Sequence, residues 1–148
     1  MRFALPTLAS AAILLASVAL PASADVAEQE LVEQVDSQAA LTAELSEKLW
    51  DWAEVGYQEV KSSKLLQDTL AGEGFSVKAD VAGIPTAFVA EYGKGGPVIG
   101  ILAEFDALPG INQAASAERS EVPGKKAGHA CGHNLFGAGS VSAAIAIR

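Results

Sequence analysis

Pro97-Val98-Ile99-Gly100-Ile101-Leu102-Ala103-Glu104-Phe105-Asp106 is apolar on both faces for most of its length and then turns acidic. A strand with one wet face alternates polar and apolar residues; a strand apolar throughout is covered on both sides. The stretch therefore predicts a buried central strand, and a sheet that carries one needs helices against its faces. What precedes it fits that requirement. Residues Asp25 to about Val55 read as helix, with Leu31, Val35, Leu41 or Thr42, Leu45, Leu49 and Trp52 recurring at roughly three- and four-residue spacing among Glu, Gln, Ser and Lys. Asp36-Ser37 interrupts the pattern, leaving either two helices or a frayed N-terminal arm. Trp50 and Trp52 diverge on a helix, so one lines a cleft or both cover the helix end. Ser62-Ser63 opens a second amphipathic helix through Leu65, Leu66 and Leu70, which stops at Ala71-Gly72-Glu73-Gly74. Phe75 to Asp80 and Thr86 to Tyr92 read as strands with a turn at Gly83-Ile84-Pro85, and Gly93 to Gly96 is a hairpin-like connection into Pro97. The expected class is α/β, a mixed sheet flanked by helices.

The apolar strand runs directly into Glu104 and Asp106. Open α/β sheets bind ligands outside the carboxyl ends of their strands, and two acids spaced i, i+2 share a face if the strand continues. Such a pair can hold a metal, orient a histidine ligand or bind a substrate amine; the alternative is an exposed pair at a strand end. Residues 110–127 then form a long loop of small residues, a length associated with function or mobility.

Gly128-His129-Ala130-Cys131-Gly132-His133-Asn134 holds the only cysteine and both histidines of the chain. As an extended segment it would place His129, Cys131 and His133 on one face, with Asn134 as N-cap of a helix through the apolar run that follows. Thiolate and imidazole suit zinc or a similar transition metal. The alternative is a buried free cysteine beside two histidines. A lone cysteine cannot form an internal disulfide, so ligation, reactivity or burial must account for it.

The chain has 148 residues, enough for one domain, and a formal net charge of −8. That acidity, with no basic cluster beyond Lys125-Lys126, argues against binding nucleic acid or an anionic membrane. Arg2, the apolar run from Ala11 to Leu20 and Ala22-Ser23-Ala24 read as a secretory signal peptide over residues 1–24, cut before Asp25. An uncleaved anchor is the alternative. The expectation is an exported protein, periplasmic or secreted, with residues 25–148 as its mature domain and no membrane attachment after cleavage.

Three segments together, Gly83 to Tyr92, Pro97 to Pro109 and Gly128 to Asn134, resemble the M20 family of metallopeptidases and amidohydrolases, and within it the branch of aminobenzoyl-glutamate hydrolase B subunits and related dipeptidases. Trp52-Ala53-Glu54-Val55-Gly56-Tyr57-Gln58-Glu59 resembles a further segment of those enzymes. The resemblance implies a metal-dependent hydrolase of amide bonds in N-acyl amino acids or dipeptides, of the aminobenzoyl-glutamate kind, with two divalent ions, zinc or manganese. It implies Cys131 and His133 as metal ligands and Asp106 as a supporting acid, with Glu104, His129 and Asn134 around them. Glu104 stands where many relatives have Asp, and Asn134 replaces an Asp found after the motif in many amidohydrolases. The general-base glutamate, the remaining ligands and a lid or dimerisation domain are expected downstream. Residues 25–148 are thus expected to be the truncated N-terminal part of a zinc-peptidase-like catalytic domain, inactive alone, from a complete protein that is a homodimer or hetero-oligomer. The end of the sequence fits, since Ser142 to Arg148 is an apolar helix pattern without a stop and would leave Ile145 and Ile147 uncovered. A short exported metal-binding or interaction module without catalysis is the alternative.

Overall fold

The computed structural model describes residues 22–148. The signal-peptide reading lies, up to residue 21, outside the described residues. No helix among the described residues is long and apolar enough to cross a membrane.

Helix α1 spans Ala22–Ser37 and α2 spans Ala39–Trp52, so the interruption at Asp36-Ser37 separates two helices. Helix α3 covers Val60–Gly72. Strands β1 (Ser76–Ala79) and β2 (Phe88–Glu91) pair antiparallel, with Val77 opposite Ala90. Strands β3 (Leu108–Pro109) and β4 (Ala127–Gly128) close the base of the long loop in a second antiparallel pair. Helix α4, His133–Ala146, completes the α/β arrangement.

The core is the seam between α2, α3 and α4. Leu45 and Leu49 of α2, Leu66 and Leu70 of α3, and Ala138, Val141 and Ile145 of α4 form one buried cluster, backed by Phe75, Val77, Phe88 and Phe105. Each fully buried leucine contributes roughly 1.5–3 kcal/mol relative to an exposed one. On α4 the buried positions Asn134, Ala138, Val141, Ser142 and Ile145 recur at three- and four-residue spacing, so one face points inward. Ile145 therefore sits inside the core at 4% exposure, contrary to the expectation that it would lack cover; Ile147, outside the helix, is half exposed.

Three readings of the sequence need correction. Pro97 to Ala103 is irregular rather than a strand and pairs with none among the described residues, and Val98 is 95% exposed. A central strand is buried by its neighbours, and none lies beside this segment among the described residues. Asn134 does not cap α4. Gly132, at φ 82°, takes the left-handed conformation and the helix starts at His133, leaving Asn134 inside the first turn with its side chain turned to Ser46 Oγ at 2.8 Å. Finally, His129, Cys131 and His133 do not share a face. A turn closed by the Gly132 N–H to His129 carbonyl bond (3.1 Å) breaks the alternation that an extended segment would have kept.

Candidate metal centre

The segment after residue 103 is placed from two sides. The Ala107 N–H donates to the Glu54 carbonyl (2.8 Å), and Val55 and Ala107 form an isolated parallel bridge. From the other side α4 packs closely at Gly137, where an added Cβ would lie 3.0 Å from Phe105 Cβ and 3.3 Å from the Glu104 carbonyl. Helix and acidic segment therefore approach so closely that a side chain at this position would have to displace its neighbours by a few tenths of an ångström.

That approach brings Glu104, Asp106 and His133 together. His133 Nδ1 lies 2.8 Å from Asp106 Oδ1 and its Nε2 lies 3.0 Å from Glu104 Oε2. One ligand atom from each residue falls within 4.8 Å of the others, the arrangement required of a shared cation. The trio is open to solvent, with the Glu104 side chain 50% exposed and that of His133 23% exposed. A neutral imidazole has one N–H. If Asp106 accepts it at Nδ1, the Nε2 lone pair faces a carboxylate oxygen, a juxtaposition that a cation relieves. Two carboxylates and an imidazole are a donor set suited to a divalent ion such as zinc or manganese.

The other expected residues lie around this trio in different environments. Cys131 is exposed and its thiol is not among the grouped ligand atoms. His129 is buried at 4% exposure, and its Nε2 bonds the Leu49 carbonyl at 3.0 Å. Burial lowers its pKa; the Leu49 bond works in the opposite direction. The His129 ring leans on Trp50, with centroids 6.5 Å apart. Asn134 bonds Ser46, while its Oδ1 and the Nδ1 of His129 are buried without a hydrogen-bond partner among the described residues.

Trp50 lines two clefts. One, of about 470 Å³, is lined by Ser46, Glu47, Trp50, Asp51 and Asn134 along with Ala114 to Ser116. The other, about 200 Å³, lies between Trp50, Ile111, Asn112 and His129. Neither is lined by the trio. The long loop is held rather than free: Asn112 accepts the Val122 N–H (2.7 Å) and donates to the Lys125 carbonyl (2.6 Å), and Lys125 Nζ donates to the Trp50 carbonyl (2.8 Å).

Sequence reading missed the part played by Glu54. Helix α3 receives no side-chain bond from its own N-cap, Glu59, whose Oε2 accepts the Thr86 hydroxyl instead (2.7 Å). The Glu54 carboxylate takes over, accepting the N–H groups of Lys61 (3.1 Å) and Ser62 (2.8 Å) and the Ser62 hydroxyl (2.8 Å). The available signal was an acid shortly before a helix start.

No protein-family model matches the chain. Among curated proteins it is similar to a p-aminobenzoyl-glutamate hydrolase subunit of Escherichia coli (strain K12), 41% identical over 107 residues, covering 71% of this chain and 22% of the relative. It is similar to IAA-amino acid hydrolase ILR1-like 5 of Arabidopsis thaliana, 39% identical over 82 residues, covering 55% of this chain and 18% of that protein. N-acetylcysteine deacetylase of Bacillus subtilis (strain 168) is 35% identical over 103 residues, 68% of this chain and 26% of the relative. The chain thus spans between 18% and 26% of the length of these three proteins.

Proposed function

Because the chain belongs to the M20 family of metallopeptidases and amidohydrolases, we propose that it carries part of the active site of a metal-dependent hydrolase that splits the amide between an acyl group and an amino acid, or the peptide bond of a dipeptide. The observation that carries this reading is the convergence of Glu104, Asp106 and His133 at the end of an apolar segment. The names of the relatives support the substrate class, since p-aminobenzoyl-glutamate, IAA-amino acids and N-acetylcysteine each join an acyl group to an amino acid.

His133 and Glu104 would hold a divalent ion, zinc or manganese, through Nε2 and Oε2, and Asp106 would fix the imidazole by accepting its Nδ1–H. Cys131, in the turn before α4, is the further ligand that the family resemblance implies, and a second ion belongs to the same reading. When bound, the metal supplies a Lewis acid and lowers the pKa of a coordinated water. What these residues do themselves is narrower: Asp106 orients His133, and the close seating of α4 on Phe105 sets the spacing between helix and acids. A general base must come from elsewhere in the protein, as neither Glu104 nor Asp106 is free of the histidine. Export to the periplasm or beyond, with a homodimeric or hetero-oligomeric complete protein, completes the proposal.

The test uses the full-length protein, purified metal-free and reloaded with zinc or manganese, against p-aminobenzoyl-glutamate, other N-acyl amino acids and dipeptides. Metal-dependent amide cleavage, lost in His133→Ala together with bound metal, supports the reading. Metal binding without turnover on any of these substrates would favour a binding module. Full metal occupancy in His133→Ala would remove the trio from the centre.

A further inference from the structure

The segment Trp52 to Glu59 stands out in the sequence, yet none of its residues belongs to the trio. We infer that Glu54 is a positioning residue for the metal centre, acting through the backbone of Ala107 and touching neither metal nor substrate.

The two ends of Glu54 are tied to different elements. Its carboxylate sits across the start of α3, accepting the Lys61 and Ser62 N–H groups and the Ser62 hydroxyl. These are charge-assisted bonds at the positive end of a helix, stronger than neutral ones. Its carbonyl accepts the Ala107 N–H at 2.8 Å. Ala107 is 2% exposed and directly follows Asp106, which is bonded to His133.

The chain just before Glu54 is also set for this purpose. Ala53 ends α2 in the left-handed conformation (φ 43°) with its N–H on the Leu49 carbonyl, turning the backbone out of the helix axis at the residue before Glu54. Gly56 lies on the same side: a Cβ there would come within 3.9 Å of Asp106 Oδ2 and of Glu59 Oε1. The side chain of Glu54 thus pins its own backbone to α3, and that backbone pins the peptide after Asp106. Elsewhere the acidic segment is held by fewer ties. Residues 97–103 have no strand partner among the described residues, and the Ser140 hydroxyl bond to the Leu102 carbonyl (2.9 Å) is upstream of both acids. Ligand geometry depends on supports that keep donor atoms within about 0.5 Å of their working positions. Phe105 is packed against the core on the other side of Asp106, and the Glu54 bracket is the backbone hydrogen bond nearest Asp106 along the chain.

The inference rests on the reading of the trio as a metal centre, and its test separates the two. In the full-length, metal-free protein, hydrogen exchange at the Ala107 amide is measured alongside zinc affinity and Tm for Glu54→Ala, Glu54→Gln and Leu65→Ala. Leu65→Ala is the control, since it loosens α3 packing without touching the bracket. Glu54→Ala should speed exchange at Ala107 and weaken zinc binding by about tenfold or more, the range for an outer support of a metal ligand. Glu54→Gln keeps one acceptor oxygen and should restore part of both. Leu65→Ala should lower Tm while leaving both unchanged. A lowered Tm in Glu54→Ala with unaltered exchange and zinc affinity would make Glu54 a helix cap and nothing more. Equal effects from Leu65→Ala would likewise overturn the positioning role. Faster exchange in Glu54→Ala, with no zinc bound by the unaltered protein, would instead sink the metal reading on which the role depends.

Discussion

His133 depends on Asp106 for its orientation, and the two differ in how a substitution should act. Asp106→Asn keeps an oxygen that can accept the Nδ1–H at the position now 2.8 Å away, but removes the negative charge. In the full-length protein it should lower zinc or manganese affinity about 10–100-fold, the usual cost of losing an outer carboxylate, with Tm little changed. Chelator competition would check it, and an unchanged affinity would mean that Asp106 does not support His133 electrostatically. His129 gives a prediction in pH. Unfolded, this imidazole protonates near pH 6.5; burial holds the folded value lower. As pH falls from 6.5 towards that lower value the unfolded chain binds the proton first, so stability is complete above the window and lost within it. Denaturant unfolding of the full-length protein at pH 7.5 and 5.5 should show a smaller loss in His129→Gln, whose amide can still donate to the Leu49 carbonyl. Equal losses in both proteins would place the acid sensitivity elsewhere.

At the scale of elements, the centre depends on how closely α4 lies on the segment carrying the acids. Gly137→Ala would gain helix propensity of about 1 kcal/mol in an open helix. Here the new methyl meets Phe105 Cβ at 3.0 Å and the Glu104 carbonyl at 3.3 Å, so α4 or the acidic segment must shift. Overpacking of this kind costs typically about 1–3 kcal/mol. The expected outcome is a lower Tm and weaker metal binding together; a raised Tm with unaltered metal affinity would show that the contact is slack. Leu49→Ala offers the contrast, a cavity in the helical seam costing about 2–5 kcal/mol. These elements also show what the residues reveal in advance. The apolar spacing of α2 and α3 and the alternation in β1 and β2 are local patterns, and they appear where the sequence places them. Glu104 and Asp106 were legible as a pair because their i, i+2 spacing at the end of an apolar run is likewise local. The meeting with His133 was not, because it depends on α4 crossing at Gly137. The capping of α3 by Glu54 was hidden for the same reason, since the acid lies outside the helix that it caps. Pro97 to Ala103 reads as a central strand from its apolar composition, but burial within a sheet depends on partner strands, and none pairs with it among the described residues.

Across the whole molecule, the distribution of donors and apolar surface indicates what the 148-residue chain does when made alone. With Asp106 on His133 Nδ1, the trio offers an ion the His133 imidazole and the Glu104 carboxylate, whereas a catalytic zinc usually has three protein ligands and a two-ion centre needs more. Both acids face His133, leaving no carboxylate in the trio free to act as general base, a role worth on the order of 10²–10⁴ in rate. The same chain exposes Val98, Ile99 and Leu102 at 95%, 71% and 73% along a segment that pairs with no strand among the described residues. Unpaired, apolar backbone of this kind templates association with other chains. The chain alone should therefore bind zinc weakly, associate as its concentration rises, and turn over none of the substrates proposed for the full-length protein. Sedimentation would follow the association, and Val98→Lys with Leu102→Lys should reduce it without altering the helical core. Side-by-side assays with zinc and manganese on N-acyl amino acids and dipeptides would test the activity. Metal-dependent turnover by the 148-residue chain, abolished by His133→Ala, would show that the trio needs no further ligand or base, and the proposed reliance on the rest of the protein would fall.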